Sequence, residues 1–195
     1  MEKDIFFTII TPTINRTTLI QTCDSIDAQE CKEWEHLIIS DGCAVTHISK
    51  ANEEKRRIVI TPRTNNYGNS QRHLGSQLAK GKYLLYLDDD DYYITPKALV
   101  RIKNHIVRSN HPPFGVFPAL RLNQRFFHIP PGASRTVSCQ FFVSYGHKWT
   151  EVEANDQDYG VDGRYIQSLV DQYGASILEC EELVEVNRIS KGIYL

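Results

Sequence analysis

Along this chain, apolar residues fall into short unbroken runs separated by stretches with helical spacing. Phe6-Phe7-Thr8-Ile9-Ile10 is too short for a buried helix and is bounded by Pro12 and Asn15, so it reads as a strand buried on both faces. Leu19, Cys23 and Ile26 then recur at helical intervals from about Thr17. Glu35-His36-Leu37-Ile38-Ile39, closed by Asp41-Gly42, is a second strand. Ile58-Val59-Ile60 before Pro62 is a third, and Tyr83 to Leu87 a fourth. Between them the pattern predicts a polar helix over 45–55 and another over 68–79, with Leu74 and Leu78 four apart and Gly81 as its stop. A further helix covers 96–109. Strands alternating with helices imply right-handed crossovers and a mostly parallel sheet, the α/β class.

After about Pro112 the rhythm breaks. Residues 114–122 and 125–129 read as strands joined near Asn123, an antiparallel pair. Pro130-Pro131-Gly132 is a loop, 139–143 is β-rich, 163–173 is an amphipathic helix and 177–186 is extended. With no repeat, low-complexity tract or linker, the chain reads as a single domain, 1–195. Residues 1–110 form a regular nucleotide-binding half and 111–195 a less regular half. At 195 residues the chain is large enough for a real core, and its length leaves open that it is one domain of a longer protein.

Composition narrows the classes. Hydrophobic residues make up 41% and charged residues 24%, as in ordinary globular proteins, and a net charge of −2 offers no general attraction to nucleic acid. No run reaches the span of a membrane helix, and no signal-peptide pattern follows Met1. The five cysteines form no CxxC pair, which favours a reduced, cytoplasmic protein without structural zinc.

The chemistry concentrates where Leu84-Leu85-Tyr86-Leu87 runs into Asp88-Asp89-Asp90-Asp91. Four adjacent carboxylates repel one another and need either solvent or a cation. At the carboxyl end of a strand, where open α/β sheets bind ligands, hard oxygen donors suit Mg²⁺ or Mn²⁺ bridging to phosphate; a solvated acidic loop is the plainer alternative. In a parallel sheet this turn shares a rim with the breaks Thr11 to Arg16, Ser40-Asp41-Gly42 and Pro62 to Arg72. A lone carboxylate, a Gly/Asn-rich loop with an Arg and an acidic turn together suit a nucleotide diphosphate. No GxGxxG or GxxxxGK[ST] stretch offers another explanation.

Four stretches in order resemble family 2 glycosyltransferases over residues 5 to about 110. Phe7-Thr8-Ile9-Ile10-Thr11-Pro12-Thr13-Ile14-Asn15-Arg16 is similar to their opening strand and P-T-Y-N-R turn. His36 to Gly42 is similar to the strand ending in Asp-Asp-Gly, with Ser40 in place of the first Asp. Asn66-Tyr67-Gly68-Asn69-Ser70-Gln71-Arg72-His73-Leu74-Gly75, with Ala79 and Gly81, resembles the stretch that leads into their L-D-x-D-D, here Leu87 to Asp91; His73 replaces the usual Asn. The resemblance implies a GT-A fold and inverting hexosyl transfer from a UDP-sugar to a glycan or other hydroxyl acceptor, in polysaccharide or glycoprotein glycan synthesis.

Residue by residue, the resemblance implies that Thr11, Pro12, Thr13 and Arg16 line the uridine and that Asp41 bonds the uracil imide. It implies likewise that Arg72 would lie near base or diphosphate, that Asp88 and Asp89 would face ribose and donor sugar, and that Asp90 would hold Mn²⁺ or Mg²⁺. Continued strand geometry would put Asp88 and Asp90 on one face, a turn starting at Asp89 would not, and Asp91 falls beyond the set. An inverting displacement needs a carboxylate base. The family's base precedes a helix, which selects Asp162, with Asp158 and Asp156 as alternatives and a helix cap as the plain role of Asp162. His147 and Trp149, just upstream, are acceptor-pocket candidates or structural residues. Rival readings are a haloacid-dehalogenase phosphatase, disfavoured by Tyr92 at the fourth position after Asp88, a nucleotidyltransferase, and a degenerate GT-A domain that binds without turnover.

Overall fold

Every residue of the first strand, β1 (Phe7–Thr13), and of the second, β2 (Trp34–Asp41), is buried, which is why neither shows polar alternation. The computed structural model describes residues 4–121, 123–127, 131, 138–149 and 161–186. Helix α1 (Leu19–Asp27) joins these strands; β3 (Arg56–Thr61), α2 (Asn69–Leu78) and β4 (Tyr83–Tyr86) follow. Then come β5 (Tyr92–Tyr93), α3 (Ala98–Arg108), β6 (Phe114–Val116), β7 (Ala119–Arg121), β8 (Gln124–Phe126) and β9 (Phe141–Ser144). Helix α4 (Val161–Tyr173) precedes β10 (Ser176–Ile177) and β11 (Val184–Val186).

The main sheet runs β10-β6-β9-β4-β1-β2-β3. Strands β4, β1, β2 and β3 are parallel, and β9 lies antiparallel between β4 and β6. Alternate residues of β1 feed different cores: Ile9 packs on the side of α3, with Leu99, Ile102 and Ile106, and Ile10 on the side of α2 and α4, with Leu74, Ile166 and Leu169. A second sheet, β5-β11-β7-β8, joins the α3 side through Leu183 and Val184.

Two expected elements differ. Residues 45–55 form no helix beyond a 3₁₀ turn at Glu53–Lys55. Side chains take over the backbone there: Asn15 Oδ1 accepts from the amides of Thr46 and His47, and Arg56 Nη1 donates to the carbonyls of Ser49 and Ala51. Val45 and Ile48 meanwhile anchor the segment on Leu19, Cys23 and Ile38. The single strand expected over 114–122 is two strands in two sheets. Pro118, which has no N–H, breaks it, and its carbonyl accepts from Leu183 N of the second sheet. The β7–β8 pair is antiparallel, with Asn123 at φ 58° in its turn.

Gly81 allows the turn into β4 to press on β1. A Cβ there would lie 2.5 Å from Thr8 N and 2.6 Å from the Phe7 carbonyl carbon, backbone that cannot move aside. Gly81→Ala should therefore cost about 1–3 kcal/mol or more in chemical denaturation. Gly146→Ala, which meets nothing within 4 Å, should stay within about 0.5 kcal/mol of the parent.

Candidate active site

The carboxyl ends of β1, β2, β3 and β4 share one rim, and side chains stitch the loops that leave them. Asp41, the last residue of β2, holds the loop after β3. Its Oδ1 accepts from Thr64 N at 2.6 Å, Thr64 Oγ1 at 3.0 Å and Gln71 Nε2 at 3.0 Å, and its Oδ2 from Asn65 N at 3.0 Å. That loop needs anchoring, because Asn65, Tyr67 and Gly68 all adopt positive φ. Pro12 packs closely under Gly68, where a side-chain Cβ would come within 2.8 Å of the Pro12 Cβ.

The acidic run turns at once. Asp91 N donates to the Asp88 carbonyl at 3.0 Å, so no strand geometry persists through it. Carboxylate oxygens of Asp88, Asp90 and Asp91 come within 4.8 Å of one another. Asp91, expected beyond the ligand set, is thus brought into the group by the turn. Asp89 points inward and is buried. It accepts from Thr13 Oγ1 at 2.6 Å, Arg16 Nη1 at 2.6 Å and Ile14 N at 3.4 Å, tying the first loop to the fourth. Both its oxygens are therefore engaged by protein donors and not turned toward a ligand. Arg16 also reaches Asp90 Oδ2 at 3.4 Å.

Arg72, in the first turns of α2, donates Nη1 to the Tyr67 carbonyl at 2.8 Å and Nη2 to Asp88 Oδ1 at 2.5 Å. Its guanidinium lies 5.6 Å from the ring of Trp149, which is wholly buried and packs on Tyr86 and Tyr165. Trp149 therefore backs Arg72 and offers no open face to a sugar. His147 instead pairs its ring with Tyr173 at 4.3 Å. Thr11 is buried, its hydroxyl 3.0 Å from His36 Nε2; His36 Nδ1 accepts from Arg56 Nε, so the Nε2 proton points at Thr11. Asp162 sits in the first turn of α4 and accepts from Gly163 N at 2.8 Å. Asp156 and Asp158 lie outside the described residues.

The charges show what the site is short of. Burial, then Asp88 and Asp89 close by, push the Asp90 carboxyl up to about 7, with Arg16 opposing. Burial also raises Asp89 against the pull of Arg16, and raises Asp162 against that of Arg72. Burial disfavours the charge on Arg72, yet Asp88 and Asp162 outweigh it and raise its pKa. Hard carboxylate oxygens clustered at this spacing and under-compensated in charge fit a divalent cation.

The clamp on Asp41 and the support of Trp149 under Arg72 are what the sequence reading lacks. Their one local signal is that Gln71 and Arg72 are adjacent polar residues in a helix that packs on the sheet.

Comparison with known proteins agrees with this geometry. Residues 8–111 match the family described as Glycosyl transferase family 2. A poly(ribitol-phosphate) beta-glucosyltransferase of Bacillus spizizenii is 32% identical over 104 residues, covering 49% of this chain and 16% of that protein. The stretch matched is only 15 to 17% of the length of the curated relatives. The crystal structure of S. aureus TarS residues 1–349 in complex with UDP-GlcNAc superposes with a TM-score of 0.70 at 15% identity, over 96% of this chain and 60% of that one. The mannosyltransferase PcManGT of Pyrobaculum calidifontis, in complex with GDP-Man and Mn²⁺, gives 0.63 at 14%, over 89% and 54%. These likenesses establish the GT-A fold.

A pH dependence follows from Asp90. Its folded pKa lies above that of a free carboxyl, so between about pH 4 and 7 the native state keeps a proton the unfolded chain has lost. This group's contribution to stability therefore falls as pH rises through that window. A cation must displace the same proton, so Mn²⁺ affinity measured by calorimetry should rise from pH 5.5 to about 7 and then level. Asp90→Asn should flatten the profile.

With its opening strand, acidic turn and arginine-bearing helix gathered on one rim of a GT-A sheet, the chain belongs to glycosyl transferase family 2.

Proposed function

We propose that this enzyme transfers a hexosyl group, with inversion, from a UDP-sugar to a hydroxyl of a glycan or similar acceptor, with Mn²⁺ or Mg²⁺ at the acidic turn. One observation carries the reading. Arg72 pairs with Asp88 of the acidic turn at 2.5 Å and lies against Trp149, on which Tyr165 of α4 packs, so the helix that bears Asp162 is tied to that turn. Complexes of TarS with UDP-GlcNAc and of PcManGT with GDP-Man and Mn²⁺ support the donor class and the cation.

In this reading Asp90, with Asp88 and Asp91, would hold the cation, whose chemistry there would be to offset negative charge on the diphosphate. Among the described residues Asp41 Oδ2 has a single donor, Asn65 N, so it keeps a lone pair for the uracil imide N–H. Pro12 and the β1 end underlie the base through backbone and ring, since the hydroxyls of Thr11 and Thr13 are already paired. Asp89 serves by fixing Thr13 and Arg16, which leaves the ribose and donor sugar to Asp88. Asp162 accepts the acceptor's proton. Its burial favours the protonated form and so strengthens it as a base, while Arg72 keeps it ionised before the reaction.

UDP with Mn²⁺ at about 100 times its dissociation constant should add roughly 2.7 kcal/mol, about 5–10 °C in melting temperature. A shift with another nucleotide and none with UDP would move the donor assignment. Asp162→Asn keeps the shape of the side chain and should leave UDP affinity and melting temperature unchanged. Sugar transfer, followed as UDP release, should fall by about 10²–10⁴-fold. Transfer at the parent rate would remove Asp162 from the chemistry.

A further inference from the structure

Two arginines meet the acidic turn, and they are held very differently. Arg72 is locked. Its side chain is 7% exposed, and Tyr67, Asp88 and Trp149 fix it from three sides. Arg16 has 38% of its side chain exposed, and its Nη1 contacts both Asp89 and Asp90. Its bond to Asp89 is short, and Asp89 is also held by Thr13 and Ile14. Its contact with Asp90 is longer, at 3.4 Å, and Asp90 is the more exposed of the two, 16% against 3%. The weaker contact thus falls on the carboxylate placed to hold a metal ion.

We infer that Arg16 is an exchangeable counter-cation, pairing with Asp90 while the acidic turn holds no metal ion and turning to the donor's diphosphate once one is bound. The inference rests on the metal-dependent reading above and goes beyond it in two ways. A guanidinium and a dication compete for one carboxylate, so Arg16 lowers the affinity of the turn for metal alone. Diphosphate gives the displaced guanidinium a new anionic partner, so nucleotide and metal should bind cooperatively through this side chain. Asp89 remains the pivot, because its bond to Arg16 does not stand in the way of either partner. The site then discriminates against holding metal without donor.

The sign of one measurement tests this. Mn²⁺ binding is measured by electron paramagnetic resonance of the free ion, with and without UDP, on the parent, Arg16→Gln and Arg16→Lys. Loss of an exposed ion pair of this kind should let Arg16→Gln bind Mn²⁺ alone about two- to fivefold more tightly, with Arg16→Lys near the parent. The factor by which UDP strengthens Mn²⁺ binding should shrink in Arg16→Gln. On an Asp90→Asn background, Arg16→Gln should no longer change Mn²⁺ affinity. Weaker Mn²⁺ binding by Arg16→Gln at an unchanged melting temperature would overturn the proposal, since Arg16 would then be positioning the carboxylates. An unchanged UDP enhancement would overturn it equally. If parent and variant alike bind no Mn²⁺, the metal reading itself fails, and the exchange with it.

Discussion

Four consecutive carboxylates at the end of a buried strand set the problem that the rest of this rim solves. They cannot all be ionised together near a core without cations close by. The turn at Asp88 to Asp91 separates them: Asp89 is engaged by Thr13 and Arg16, and the other three bring carboxylate oxygens together, with Asp88 and Asp90 partly exposed and Asp91 buried. Arg72 is drawn to Asp88 and Arg16 to Asp89 and Asp90, which pins the helix after β3 and the loop after β1 to the same turn. Removing that charge pattern would cut the side-chain ties of the loop after β1 and of α2 to the acidic turn.

The same electrostatics reach the second half of the chain. Trp149 seats Arg72, and Tyr165 of α4 packs on Trp149 and donates its hydroxyl to the His147 carbonyl at 2.6 Å. The helix that carries Asp162 is therefore positioned by packing against the support of the arginine that balances it. Asp162 and the acidic turn share one mechanical frame, although they are far apart in sequence.

Much of this was legible in the residues and some was not. Strands β1, β2 and β4 stood out because burial on both faces leaves unbroken apolar runs, a local signal. The stretch at 45–55 misled because its polar character resembles a helix surface, whereas Asn15 and Arg56, distant in sequence, supply its backbone partners. The break at Pro118 was visible as a proline, but only the meeting of two sheets makes it a crossing point. At the site the residue types and their rim were readable. The inclusion of Asp91 depended on a turn where strand geometry was an equal option. The clamp on Asp41 spans 23 to 30 residues and leaves no periodic trace.

In the proposed function, that clamp would also govern the thermodynamics of donor capture. The loop after β3 is ordered by Asp41, Gln71 and Pro12 within the protein itself, so the entropy of fixing its backbone is met when the chain folds and not when a nucleotide arrives. A base entering here as proposed would find its cradle already shaped, which would favour rapid association and leave selectivity to the complementarity of hydrogen bonds. Asp41 would then be a double-duty residue: a change there loosens the cradle as well as the proposed contact, and a loss of affinity at this position would measure both together.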